Sequence, residues 1–243
     1  MSQGVKSAKT VRISRRRRVR EELQEMILRG FIRPGQKLAQ HTLARKFGVS
    51  QGVVREALLQ LHALGLAEMS GKSGMAVAKL GIATLLDAFA VREAHEGMIV
   101  RLCCQRASRM EAQQLAQMAQ DIHDLGVAGK RNQMFELDKA FHLRMLDICG
   151  NTLLRRLAEQ YQVMSTMLRL SRDLATVRDE HLRIARAIED GRPDDAELAV
   201  REHVRQTKAA VEEIWQAGRS VPGALRGIIP AALLEPGPTL SSQ

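Results

Sequence analysis

The sequence predicts a mainly α protein: an N-terminal winged helix-turn-helix domain, then a C-terminal all-α bundle of six to seven helices. Three observations carry this. Residues 48–61, reading GVSQGVVREALLQL, have the cap and spacing of a helix that follows a glycine turn. From Ile82 to about Ala217 the only periodicity is helical. The charge is lopsided: residues 1–80 hold 16 Lys and Arg against 5 Asp and Glu, while residues 81–243 hold 21 against 22.

A chain of 243 residues that is 45% hydrophobic can bury an ample core, and its low aromatic share (3%) with abundant Leu, Ala, Met and Arg favours helices. The net charge of +10 belongs to the first 80 residues, and a polyanion bound at that end is the simplest reason. An anionic membrane would also attract Arg15–Arg18, but no strongly apolar amphipathic face accompanies that run. No apolar stretch is long enough to span a bilayer, and no signal peptide follows the basic start. Cys103, Cys104 and Cys149 form no C-x-x-C and no paired framework. Reduced thiols in a cytoplasmic protein without a membrane partner are expected.

In chain order, residues 1–14 are polar and aperiodic and are expected to form a disordered basic arm. A first helix follows from about Arg15, with Val19, Leu23, Met26 and Ile27 on one face, and stops near Gly30. Arg33-Pro34-Gly35 makes a turn. HTLARKFG then places Leu43, Ala44 and Phe47 on one face of a short helix ending at Gly48. Ser50 caps the next helix, whose buried face is Val54, Leu58 and Leu61, leaving Gln51, Gly52 and Arg55 at a polar leading edge. These residues alone also fit a helical hairpin in an ordinary core. Two short strands, 66–69 and 75–78, around Ser70-Gly71-Lys72-Ser73-Gly74 add a wing and complete a DNA-binding domain over 15–80.

This domain resembles the DNA-binding domain of the GntR family of bacterial transcription regulators. The resemblance is spread over Ile27, Gly30, Pro34-Gly35, Leu38, Leu43-Ala44, Gly48-Val49-Ser50, Val54 to Leu58, Leu61, Gly65-Leu66 and the wing glycines. It implies that the chain binds a double-stranded, palindromic operator. Gln51 and Arg55 would read base edges, with Gly52 beside them. Ser50 and Arg45 would hold phosphates, and Lys72 in the wing would lie near the backbone or minor groove. The family usually has Arg-Thr-Pro where Gln51-Gly52-Val53 stand here. Glutamine suits adenine where arginine favours guanine, so the operator would differ.

Helices are expected over 82–108, 110–126, 132–149, 152–171, 175–190 and 194–217, with a Pro- and Gly-rich mobile tail over 218–243. Several polar residues fall on their apolar stripes. Asp138 and His142 lie one turn apart among Met134, Leu137, Phe141, Met145 and Ile148. His181 sits among Val177, Ile184 and Ile188; His203 sits among Ala199, Val200 and Ala210. About a turn at 190–194 both histidines are roughly 13 Å from the bend, so in an antiparallel hairpin they can face one another. A lone core histidine is usually satisfied by a backbone carbonyl, and Asp–His at i, i+4 is often a simple ion pair. A divalent cation would satisfy all four groups together and keep open positions.

The second domain, 81–217, is similar to the metal-containing FCD ligand domain of the FadR subfamily. The matching pieces are Val91-Arg92 with Glu96, Asp138 with Phe141-His142, Gly150-Asn151, Glu180-His181 with Ile184, and His203. The resemblance implies that Asp138, His142, His181 and His203 bind a divalent metal ion, zinc or nickel, whose open positions take a small organic acid. Arg92 would be a carboxylate partner of that acid; a surface pair with Glu96 at i, i+4 is the alternative. His41, His62, His95 and His123 read as surface or packing residues, and Cys103-Cys104 as core filling. The function expected is a homodimeric, effector-switched repressor and not an enzyme. The rivals are a regulator that answers to the metal alone, and a metal-dependent hydrolase or lyase fused to a DNA-binding domain.

Overall fold

A computed structural model of the protein describes residues 3–28, 31–71, 74–79, 82–165 and 172–220. The chain divides into two compact units, with the break between Ile82 and Ala83.

The first unit opens with α1 (Gln3–Leu28), which buries Val19, Leu23 and Ile27 as the stripe requires. The disordered arm expected over 1–14 is corrected here, because α1 already runs from Gln3. No proline interrupts residues 3–15, and extending an existing helix fixes one residue per hydrogen bond without a new nucleus. The short helix α2 (Gln40–Phe47) buries Leu43, Ala44 and Phe47 and ends at Gly48, whose φ of 63° suits a residue without a Cβ. The Arg18 guanidinium donates to the Phe47 carbonyl at 3.2 Å, closing the same end.

Helix α3 (Gln51–Ala63) buries Val53, Val54, Ala57, Leu58 and Leu61 and packs on α1. The wing is the antiparallel pair β1 (Ala67–Ser70) and β2 (Gly74–Val77), in register from Ala67 opposite Val77 to Ser70 opposite Gly74. Its other edge was not legible in the sequence. Lys37 bridges to Ala76, and the Leu38 amide donates to the Met75 carbonyl at 2.7 Å, so the segment before α2 borders β2.

The second unit holds six helices among the described residues: α4 (Ile82–Arg106), α5 (Arg109–Val127), α6 (Arg131–Cys149), α7 (Thr152–Ser165), α8 (Leu174–Glu189) and α9 (Pro193–Ser220). Ser108 and Glu111 form a capping box at the start of α5, and Asp173 accepts from the Thr176 amide at the start of α8. Phe141, Met145, Leu115, Ile184 and Val200 share one core. Cys103 is buried there and donates to the Met145 carbonyl at 3.1 Å. Burial pushes its thiol pKa up, consistent with a packing role. Residues 166–171, expected to end a helix, and 221–243 of the expected tail lie outside the described residues. No helix among the described residues is long and apolar enough to cross a membrane.

Candidate metal centre and DNA-reading edge

Three helices bring three histidines together. His142 comes from α6, His181 from α8 and His203 from α9, and all are buried. Their ring centroids are 4.7 Å apart for His181 and His203, 5.3 Å for His142 and His203, and 5.6 Å for His142 and His181. One ring nitrogen from each lies within 4.8 Å of the other two. The helical hairpin of α8 and α9 does face His181 toward His203, turning at Gly191 with a φ of 63°. Phe141 stacks on His181 at 4.4 Å and closes one side.

Asp138 stands at the rim. Its Oδ1 lies 3.6 Å from His181 Nε2, and its side chain is 38% exposed. One turn before His142 on the same helix, it reaches the cluster from the solvent side.

Two carboxylates that sequence reasoning left out of the ligand set lie directly behind the histidines. Glu180 accepts from His203 Nδ1 at 2.8 Å and is held by Arg172 at 2.6 and 2.8 Å. Glu96 is buried between Arg92, 2.6 Å away, and His142 Nδ1, 3.2 Å away. Burial opposes ionisation of Glu180, but His203 and Arg172 outweigh it and hold its carboxyl down to about 2. The Glu96 carboxyl is likewise held low: burial raises its pKa, while Arg92 and His142 lower it by more. A signal for both existed in the sequence. Glu96 falls on the buried stripe of Phe89, Val100 and Cys103, and Glu180 directly precedes His181.

Arg92 is therefore no surface residue. It is 8% exposed, pairs with Glu96, and sets its NH2 group 3.3 Å from His142 Nε2. The Glu96 pair anticipated for it exists, in the interior.

The residues fit a divalent cation. His181 is fully buried, and neither of its ring nitrogens has a hydrogen-bond partner among the described residues. Burial, then the His203 and His142 charges, push its pKa well below the ordinary value and keep it neutral. Burial likewise lowers the His203 pKa against the opposing pull of Glu180. Three imidazoles gathered in a buried cluster, beside one carboxylate, are the donor set of zinc or nickel.

In the first unit, Ser50 accepts from the Val53 amide at 3.4 Å as the N-cap of α3. Its hydroxyl proton remains to be donated. Gln51, Gly52 and Arg55 are exposed along the leading edge of α3, and Arg45 is exposed on α2. Arg55 forms no ion pair among the described residues, whereas the neighbouring Glu56 is met by Arg16 at 3.5 Å. A Cβ added to Gly52 would meet only Ser50 Oγ, at 3.9 Å, so the fold does not require glycine there. Lys72 lies outside the described residues.

A winged helix with an exposed polar edge, joined to an all-helical unit, defines the class of two-domain DNA-binding regulators. Residues 15–77 match the bacterial regulatory proteins of the gntR family, and residues 87–206 match the FCD domain. The chain belongs to the GntR family, with an FCD domain behind its DNA-binding domain. It is similar to the HTH-type transcriptional repressor RspR of Escherichia coli, 28% identical over 80% of this chain and 87% of that one. It is also similar to the Nta operon transcriptional regulator of Aminobacter aminovorans, 27% identical over 80% of this chain and 97% of that one. The solved structure of E. coli McbR/YncC shares the fold, with a TM-score of 0.66 at 20% identity over 83% of this chain and 98% of that one. The protein is thus a DNA-binding transcription regulator and not an enzyme.

Proposed function

We propose that the protein is a repressor that binds a palindromic operator as a homodimer and is switched by a small organic acid at a divalent metal ion. Asp138, His142, His181 and His203 hold the ion, zinc or nickel. The bound ion supplies positive charge and open positions for a carboxylate. Arg92 keeps a second positive charge beside the cluster. The observation that carries the reading is the buried His181 ring, with neither nitrogen hydrogen-bonded among the described residues, between two other imidazoles. A ring placed so costs stability unless a ligand takes its lone pair.

At the DNA, Arg55 and Gln51 read base edges, with Gly52 allowing close approach. Ser50, Arg45 and the wing around Lys72 position the domain on phosphates. Operator half-sites have fixed spacing, so a small change in the separation of the two α3 helices costs much affinity. The name of one relative, the probable D-xylose utilization operon transcriptional repressor of Paenarthrobacter nicotinovorans, 29% identical, favours repression of a catabolic operon.

Metal analysis of the purified chain, followed by operator gel shifts with and without organic acids, tests this. Stoichiometric metal and acid-dependent release are expected, with both lost in His203→Ala. Release by a chelator alone, indifferent to every acid, would favour a regulator of metal itself.

A further inference from the structure

We infer that Glu180 is a positioning residue that fixes which nitrogen of His203 faces the cluster, and that Arg172 holds it in place. The assignment rests on the histidine cluster being a metal centre. Its evidence is the direction of the hydrogen bonds. At His142 there is no hydrogen bond to a carboxylate among the described residues: Nδ1 stands 3.2 Å from Glu96 Oε2 without hydrogen-bonding to it, and Nε2 accepts from Arg92 at 3.3 Å. At His203 the bond is made. A carboxylate gripped by Arg172 can only accept, so the His203 Nδ1 that lies 2.8 Å from Glu180 Oε2 carries the proton, and Nε2 is bare.

The hydrogen-bonded chain Arg172–Glu180–His203 thus sets the tautomer of the His203 ring. That tautomer offers Nε2 as the ligand, and the carboxylate behind the ring raises its basicity. Such support is needed more in a dry cluster than in water, because a ring that turned its N–H inward would lose its lone pair to the ion. His181 has no such partner: both its nitrogens are without a hydrogen bond among the described residues. His203 is oriented in advance, and His181 is oriented by what it binds.

The test uses the full chain and zinc. Nitrogen-15 imidazole spectra of chelator-treated protein should show His203 protonated at Nδ1. Glu180→Ala should shift that proton toward Nε2 and weaken zinc binding, read by competition with a coloured chelator, by about 10- to 100-fold. Glu180→Gln, whose amide oxygen still accepts, should keep the tautomer and lose less than Glu180→Ala. Glu180→Met, of similar length and unable to accept in the same way, replaces the alanine variant if that does not fold. An unchanged tautomer and unchanged zinc affinity in Glu180→Ala would overturn the assignment while leaving the metal reading intact. A wild-type chain that takes up no zinc would overturn both.

Discussion

Replacing His181 by leucine should make the metal-stripped protein more stable and remove most of the stabilisation that metal adds. The side chain is fully buried, and two of its polar atoms have no hydrogen-bond partner among the described residues. Each unsatisfied buried polar atom costs about 1–3 kcal/mol. Leucine has a similar volume and removes both, but forfeits the stack on Phe141 at 4.4 Å, a loss of about 1 kcal/mol. The net expectation in chelator is a gain of about 1–5 kcal/mol. For a unit of this size that is a rise in Tm of roughly 3 °C for each kcal/mol. Metal at a hundred times its Kd should stabilise wild type by about 2.7 kcal/mol and the variant hardly at all. Scanning calorimetry with chelator and then with zinc measures both. A variant less stable than wild type in chelator would show that the His181 nitrogens are already satisfied. An undiminished response to zinc would remove His181 from the ligand set.

Arg55→Ala should leave the melting temperature unchanged, because the side chain is exposed, while operator affinity falls toward that for unrelated DNA. Equal binding of operator by variant and wild type in a competition gel shift would remove its base-reading role. Gly52→Ala should raise stability by up to about 1 kcal/mol, since the Cβ finds open space in a helix, yet weaken operator binding where the backbone comes close to DNA. Thermal melts and fluorescence anisotropy separate the two effects. Gly74→Ala should do harm of another kind. Its Cβ would sit 2.7 Å from the Ser70 carbonyl oxygen, so the wing must open, at a cost of about 1–3 kcal/mol. Amide exchange at Met75 and Val77 should then rise relative to α3.

Legibility in the sequence followed the range of the interactions involved. The elements of the first unit could be read because each is marked locally: Ser50 caps, Gly48 stops, and Val54, Leu58 and Leu61 repeat on one face. The border that Lys37 adds to β2 could not, because one bridge leaves no alternation to see. Extension of α1 to Gln3 was hidden for a related reason, since residues 3–14 carry no apolar periodicity in the sequence. In the second unit, the three histidines stood out as polar residues on apolar faces. Glu96 and Glu180 carried a local signal, but their link to the histidines depends on partners on other helices or across the α8–α9 hairpin. Glu96 meets His142 of α6, and Glu180 meets His203 of α9. Spacing along a single helix does not carry that information. Asp138 shows the limit of face assignment, since its position beside the stripe left its carboxylate at the rim.

The hairpin of α8 and α9 also bears on the order in which the cluster can assemble. The Glu180–His203 contact spans 23 residues of chain, whereas the Arg92–His142 contact spans 50. Each doubling of a closed loop adds about 0.6 kcal/mol of entropic cost, and local contacts form sooner in folding. His181 and His203 can therefore meet while α4 and α6 are still unplaced. An ion captured by that half-site would favour every conformation that delivers His142. On the reading proposed above, the ion would be a folding template before it is a sensor, and its supply during synthesis would set how fast new regulator becomes competent.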